Sequence, residues 1–151
     1  MTREITDLSC LDRMDEIERA SFISPWAKED IKNDLEKRNG VSRYLGVWQD
    51  DVLAGWGCVM LLGEEAHLAT VAVMPEYRRR GLGRELMKAL LSLSQEEGTL
   101  YMQLECRRSN TAAQEMYKSL GFFRFSIRKG YYTDTGEDAF LYARVFGVTG
   151  G

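Results

Sequence analysis

Apolar residues recur at helical spacing early in the chain. Leu11, Met14, Ile17 and Phe22 mark one face, and Asp7 or Ser9 is placed to cap the helix that carries them. Ser24-Pro25-Trp26 interrupts that face. Ile31 and Leu35, one turn apart among charges, predict a second helix. The period then becomes that of strands. Tyr44–Trp48 and Val52–Leu62 flank Gln49-Asp50-Asp51, which predicts a hairpin, and His67–Met74 is a third strand stopped by Pro75. From Gly81 the helical period returns, with Leu82, Leu86, Ala89, Leu90 and Leu93 on one face as far as Gly98. Leu100, Met102, Leu104 and Cys106 alternate with Tyr101, Gln103 and Glu105, as in a strand. Residues 110–120 are helical again, closed by Gly121 in a C′ role. Phe122–Arg128 and Ala139–Val145 are two last strands around a polar loop. The order is two helices, three strands, helix, strand, helix and two strands, with a short leading strand as an option. This is a mixed α/β chain with βαβ character in its second half.

Composition narrows the chemistry. The 151 residues fit one domain, expected over 1–146, with a frayed, flexible tail over 147–151. At 28% charged and 44% apolar, the chain is not a disordered one. Its 1 histidine, His67, excludes a metal site built on two or three histidines, and no metal is expected. With no partner legible in the sequence, His67 reads as a packed structural residue. Cys10, Cys58 and Cys106 are an odd set without a CxxC pair, which suits reduced, buried thiols better than disulfides. No signal peptide or membrane-length apolar run is visible, so a cytoplasmic setting is expected. The net charge of -3 argues against a general nucleic-acid binder. Residues 1–37 hold ten acids and six bases, which reads either as a solvated helix surface or as a field that attracts a basic substrate.

The segment from Val71 to Leu91 is strand, basic glycine-containing loop, then helix. Such a loop offers backbone N–H groups at a helix N-terminus, where the dipole favours anions. Gly81 and Gly83 leave room for a close ligand, and Arg78, Arg79, Arg80 and Arg84 add positive charge. A phosphate or pyrophosphate is the natural guest, although neither GxxxxGK[ST] nor GxGxxG is present.

Arg78-Arg79-Arg80-Gly81-Leu82-Gly83 resembles the [QR]xxGx[GA] loop of the GNAT N-acetyltransferases. Glu105-Cys106-Arg107-Arg108-Ser109-Asn110, followed by Ala113, Tyr117 and Leu120-Gly121-Phe122, is similar to that family's ExRxxNxxAxxxYxxxGF run. Pro25-Trp26, Tyr131-Tyr132 and Glu137-Asp138-Ala139 extend the likeness to its N-terminal acetyltransferases of bacterial ribosomal proteins. The chain departs at Cys106, where Val is common, and at Gly130, where Asn is frequent.

The resemblance implies the GNAT fold: a twisted, mostly antiparallel sheet of six to seven strands with about four helices, splayed between the cofactor strand and the next. It implies acetyl-CoA as co-substrate. The acceptor it implies is the N-terminal alanine of a small-subunit ribosomal protein, modified by a monomer through direct transfer. Other N-termini, lysine or a small amine are the near alternatives, and a non-catalytic acyl-CoA-binding module the distant one. Cofactor contacts are expected from Val71, Ala72, Val73, Arg78, Arg79, Arg80, Gly81, Leu82, Gly83, Arg84, Asn110 and Tyr117. In this family a main-chain N–H near Val73 faces the thioester oxygen. Glu105 is the expected base, directly or through water, because an α-amino group with a pKa near 7.7–8.0 needs only a carboxylate. Tyr117 is the expected proton donor to the leaving thiolate; its alternative is plain core packing with Ala113 and Leu120. Asn110 is expected on the pantetheine arm or at the helix start. Trp26, Glu105, and Tyr131 or Tyr132 are the expected acceptor contacts.

Overall fold

The computed structural model describes residues 1–147. Of the expected tail, only Gly147 is among them. The elements are β1 (Thr2–Ile5), α1 (Leu11–Ser21), α2 (Lys28–Lys37), β2 (Ser42–Gln49), β3 (Val52–Leu62) and β4 (Glu65–Val73). A 3-10 turn at Pro75–Tyr77 leads to α3 (Leu82–Glu96), β5 (Tyr101–Arg107), α4 (Thr111–Ser119), β6 (Phe123–Tyr132) and β7 (Glu137–Val145). The optional leading strand therefore exists. It pairs with β2, so the sheet has seven strands in the order β1-β2-β3-β4-β5-β7-β6.

The helices form where one face can be buried. Leu11, Met14 and Ile17 of α1 pack with Ile31 and Leu35 of α2 over Tyr44 and Trp56, on one side of the sheet. Leu82, Leu86 and Leu90 of α3 pack with Tyr117, Phe122 and Tyr142 on the other. Each such aliphatic side chain contributes roughly 1.5–3 kcal/mol of burial. The cap of α1 differs from expectation. Cys10 holds the N-cap position without a side-chain bond, while Asp7 accepts from the backbone N–H of Ser9 at 3.0 Å and from its hydroxyl at 2.6 Å. A short Asp side chain closes a local turn as readily as it caps a helix, and here the turn wins. Cys10 is also only half-buried, unlike Cys58 and Cys106. The hairpin at Asp50-Asp51 has both residues at positive φ, 51° and 65°, which matches the twist of β2 and β3.

One pairing sets the function-bearing geometry. Every neighbouring pair of strands is antiparallel except β4 and β5. Those two run parallel and pair only at Glu65–Tyr101, Ala66–Met102 and His67–Gln103. Beyond that rung they part. The β3–β4 register also slips there: Cys58 faces Thr70 while Val59 faces Leu68, so Ala69 is the extra residue of a bulge that bends β4 away. Among the described residues no helix is long and apolar enough to cross a membrane.

Candidate active site

The parting of β4 from β5 opens a cleft of about 750 Å³. Trp26, Val71, Glu105, Asn110, Tyr117 and Tyr132 are among the residues that line it. One wall is the α1–α2 loop and the other the β6–β7 loop. Asp134 joins them: it accepts from the Ser24 hydroxyl at 2.8 Å and from the Arg107 guanidinium at 2.7 Å. Arg107 holds its carboxyl down at about 2, so the link stays charged at any ordinary pH. Arg107 also lies 4.0 Å over the Tyr132 ring, and Tyr131 stands edge-on to Tyr132 at 5.1 Å. On the opposite wall the buried Glu18 accepts from the backbone N–H of Trp26 at 2.9 Å, which ties that loop to α1. Burial pushes the Glu18 carboxyl up.

Glu105 stands on β5, two residues past the last rung shared with β4. The strand alternation turns it, with Gln103 and Tyr101, away from the buried Leu104 and Cys106. It is not alone there. His67 Nε2 lies 3.0 Å from Glu105 Oε2, and His67 Nδ1 lies 3.0 Å from Glu65 Oε2. The expectation of a merely packed histidine is therefore corrected: His67 sits half-buried between two carboxylates. The hydrogen bond to Glu105, with that to Glu65, lifts its pKa to about 9 against the opposing effect of burial.

On α4, Asn110 is the N-cap, its Oδ1 accepting from the Ala113 N–H at 3.2 Å. Of the two expected roles, the structure shows the helix start. Tyr117, two turns along, is both core and cleft. Its ring packs edge-on against Phe122 at 5.7 Å and against Tyr142 at 6.1 Å, and it also lines the cleft. Burial pushes its phenol above the ordinary tyrosine range.

At the far end of β4, Met74 donates to the Ala54 carbonyl at 2.8 Å. Alternation then turns Val73 and Val71 to the edge that β5 has left. The Val73 carbonyl points that way too, accepting from Arg78 Nε at 3.0 Å. Ala72, between them, is buried in the core on the α1–α2 side, so any ligand contact is through its main chain. The basic loop is tighter than its charge suggests. Arg78 also reaches the Ser21 hydroxyl, Arg80 lies 5.3 Å over Tyr77, and Arg84 donates to Ser119. The Leu82 side chain is core, which leaves its N–H as the part that faces outward. What the loop offers is the start of α3. Gly81 is its N-cap with φ 79° and no side-chain cap, and the first bond within the helix is Glu85 N–H to the Gly81 carbonyl at 3.0 Å. The N–H groups of Leu82, Gly83 and Arg84 precede it, at the positive end of a helix 15 residues long.

The fold thus brings Trp26, Glu105, Asn110, Tyr117, Tyr131 and Tyr132 to one cleft. The Arg78–Arg84 loop lies past the end of β4 and is not part of the cleft lining. Gly130 takes φ 63° at a register irregularity of β6, a conformation that Gly and Asn both tolerate, so the departure from Asn keeps the backbone shape. Five of the ten acids of residues 1–37 pair with bases of the same segment, as in Lys28–Asp12, Arg13–Glu16 and Arg19–Asp15, which suits the solvated-surface reading. Sequence reasoning missed His67, Glu65, Glu18 and Asp134. For the first two a signal existed: they alternate on one face of β4, as Gln103 and Glu105 do on β5.

Comparison with known proteins gives a consistent picture. The profile of the acetyltransferase (GNAT) family matches residues 11–122. A Bacillus subtilis (strain 168) protein, named a candidate ribosomal protein bS18-alanine N-acetyltransferase, is 38% identical over 134 residues, 89% of this chain and 88% of its own. The ribosomal protein bS18-alanine N-acetyltransferase of Escherichia coli (strain K12) is 36% identical over 131 residues, 84% of this chain and 85% of its own. The crystal structure of the ribosomal-protein-S18-alanine N-acetyltransferase from Escherichia coli superposes with a TM-score of 0.86 at 30% identity, covering 99% of this chain and 97% of that one.

Proposed function

The chain belongs to the GNAT acetyltransferase family, and from that premise we propose that it moves the acetyl group of acetyl-CoA to the N-terminal alanine of ribosomal protein bS18. The observation that carries this reading is the cleft itself. Where β4 leaves β5, a carboxylate on β5 and a tyrosine on α4 face one space, and β4 leads from it to an uncapped helix start. Residues 1–146 act here as one catalytic domain, taken as a monomer in the cytoplasm, where the ribosomal acceptor is made.

The residues fit the donor. The open N–H groups of Leu82, Gly83 and Arg84 suit the pyrophosphate, with Arg79 and the other loop bases around it. Val73 N–H donates to the thioester oxygen and stabilises charge that develops there. Asn110, with its Oδ1 used in the cap, has its amide NH₂ left for the pantetheine arm. Glu105 takes a proton from the arriving ammonium, and the freed amine attacks the acetyl carbon. As the C–S bond breaks, Tyr117 donates a hydrogen bond to the sulfur, and the proton shed by the new amide nitrogen goes to the departing CoA thiolate. Trp26, Tyr131 and Tyr132 enclose the acceptor backbone, and the Ser24–Asp134–Arg107 link keeps those walls together.

Magnitudes favour an α-amine over lysine. At pH 7, freeing an α-amino group with pKa 7.7–8.0 costs about 1 kcal/mol, against about 4.5 kcal/mol for lysine at 10.4. The neutral fractions differ about 300-fold. Thiol release from acetyl-CoA is therefore expected with alanine-initiated bS18 peptides, and at least a hundredfold less with the same peptides N-terminally blocked and carrying lysine. Turnover that favours lysine overturns the N-terminal reading; no turnover with tight acetyl-CoA binding overturns the enzymatic one.

Replacing Gly81 by Val is expected to weaken acetyl-CoA binding about tenfold, because a β-branched residue at this left-handed φ costs at least 1–2 kcal/mol and shifts the first N–H groups of α3. Calorimetric titration with CoA checks it, and unchanged affinity removes this loop from the phosphate site.

A further inference from the structure

Glu105 is held from a direction the acetyl-transfer chemistry does not require. Past Gln103, β5 has lost its β4 partner and keeps only β7, where Glu105 faces Leu141. Among the described residues, the one side-chain hydrogen bond across the gap comes from His67, at the last shared rung. Its Nε2 is 3.0 Å from Glu105 Oε2, and its Nδ1 is 3.0 Å from Glu65 Oε2. A neutral imidazole has one N–H and satisfies one carboxylate. Two carboxylates, one on each nitrogen, call for both ring nitrogens to carry hydrogen. His67 does not line the cleft, whereas Glu105 does. It therefore acts on Glu105 from behind and does not meet the substrate.

We propose that His67 is a positioning residue for acetyl transfer: as an imidazolium braced by Glu65, it clamps Oε2 of Glu105 and leaves the other carboxylate oxygen to meet the amine. This rests on Glu105 being the base. The groups that face His67 are few. Glu65 comes from its own strand and Glu105 from β5, while β3 presents the uncharged Met60. Tyr101 pairs with Glu65, and Tyr132 on β6 shares the cleft with Glu105. Arg107, next on that face of β5, is engaged by Asp134 and Glu137. The two carboxylates thus govern the charge of the ring. They keep it protonated through neutral pH and lose that hold as pH rises past about 9.

The test is a set of kcat profiles from pH 6 to 10 with acetyl-CoA and an alanine-initiated peptide. The wild type is expected to lose activity above about pH 9, as the clamp discharges. His67→Leu is expected to lower kcat about tenfold, a share of the usual general-base contribution, with the KM for acetyl-CoA unchanged and no alkaline decline. His67→Gln, which keeps one N–H toward Glu105, recovers part of kcat and also shows no alkaline decline. Glu65→Gln moves the decline to lower pH, because one of the two carboxylates that hold the proton is gone. A His67→Leu enzyme with wild-type kcat and a wild-type alkaline decline overturns the proposal. Should His67→Leu fail to fold by circular dichroism, an unmoved decline in Glu65→Gln overturns it equally. Glu105→Gln separates the two readings. If it is fully active, the base assignment fails; if it is impaired while His67→Leu is not, only the clamp fails.

Discussion

Glu105→Gln is expected to lower kcat about a hundredfold at pH 7, within the range of a lost general base, and to lose progressively less as pH rises. The substitution keeps the size of the side chain and a carbonyl oxygen for the His67 hydrogen bond, so the fold and the cleft wall stay in place. What it removes is the ability to accept a proton. At pH 7 most of an α-amine with pKa 7.7–8.0 arrives as ammonium, which cannot attack. At pH 8.5 most of it arrives neutral and asks nothing of Glu105. The neutral fraction grows about sixfold over that interval, and the gap between variant and wild type is expected to close by about the same factor. Steady-state rates at saturating acetyl-CoA, from pH 6 to 8.5, read this directly and stay below the expected His67 decline. A Glu105→Gln enzyme equal to wild type at pH 7 removes Glu105 from the base role. A defect that does not change with pH assigns it to binding instead of proton transfer.

Legibility in the sequence followed the range of the interactions. The faces Leu11–Met14–Ile17 and Leu82–Leu86–Leu90 are local periodicities, and both became buried helix stripes. The alternation from Tyr101 to Cys106 put Glu105 on the right face of its strand for the same reason. Ends were less legible. β6 continues past Arg128 to Tyr132, and β7 begins at Glu137, because Tyr132 and Glu137 pair across the turn. That contact has no periodic signature. The site divides in the same way. The helix start at Gly81 is local, and the resemblance supplied Glu105, Asn110 and Tyr117. The neighbours of Glu105 depend on a parallel pairing of only three rungs between strands some 30 residues apart, so His67 looked solitary. Asp134 was invisible because its partners Ser24 and Arg107 come from α1–α2 and β5, far away in the chain.

Tyr117→Phe is expected to reduce kcat between about tenfold and a hundredfold, with acetyl-CoA affinity within about twofold of wild type, and to leave the shape of the pH profile unchanged. The size follows from what the hydroxyl can do. A thiol has a pKa near 8.5 and a free tyrosine near 10, and burial lifts Tyr117 further. Handing its proton fully to the departing thiolate is thus uphill by more than about 2 kcal/mol. Tyr117 therefore serves best as a hydrogen-bond donor while charge gathers on sulfur, and a hydrogen bond to a charged group contributes about 1.5–3 kcal/mol. Phenylalanine removes that donor and keeps the ring between Phe122 and Tyr142, so the loss is chemical and the core survives. Truncation to alanine removes the ring as well, at about 3–5 kcal/mol of stability, and would confound the two. The raised phenol keeps its proton throughout the working range, so its removal takes no titrating group away, in contrast to His67. An acyl donor with a more acidic leaving thiol gathers charge that needs less help, and the Tyr117→Phe defect is expected to shrink with it. A variant within twofold of wild type on acetyl-CoA, or a defect that ignores the acidity of the leaving thiol, places Tyr117 in the core alone.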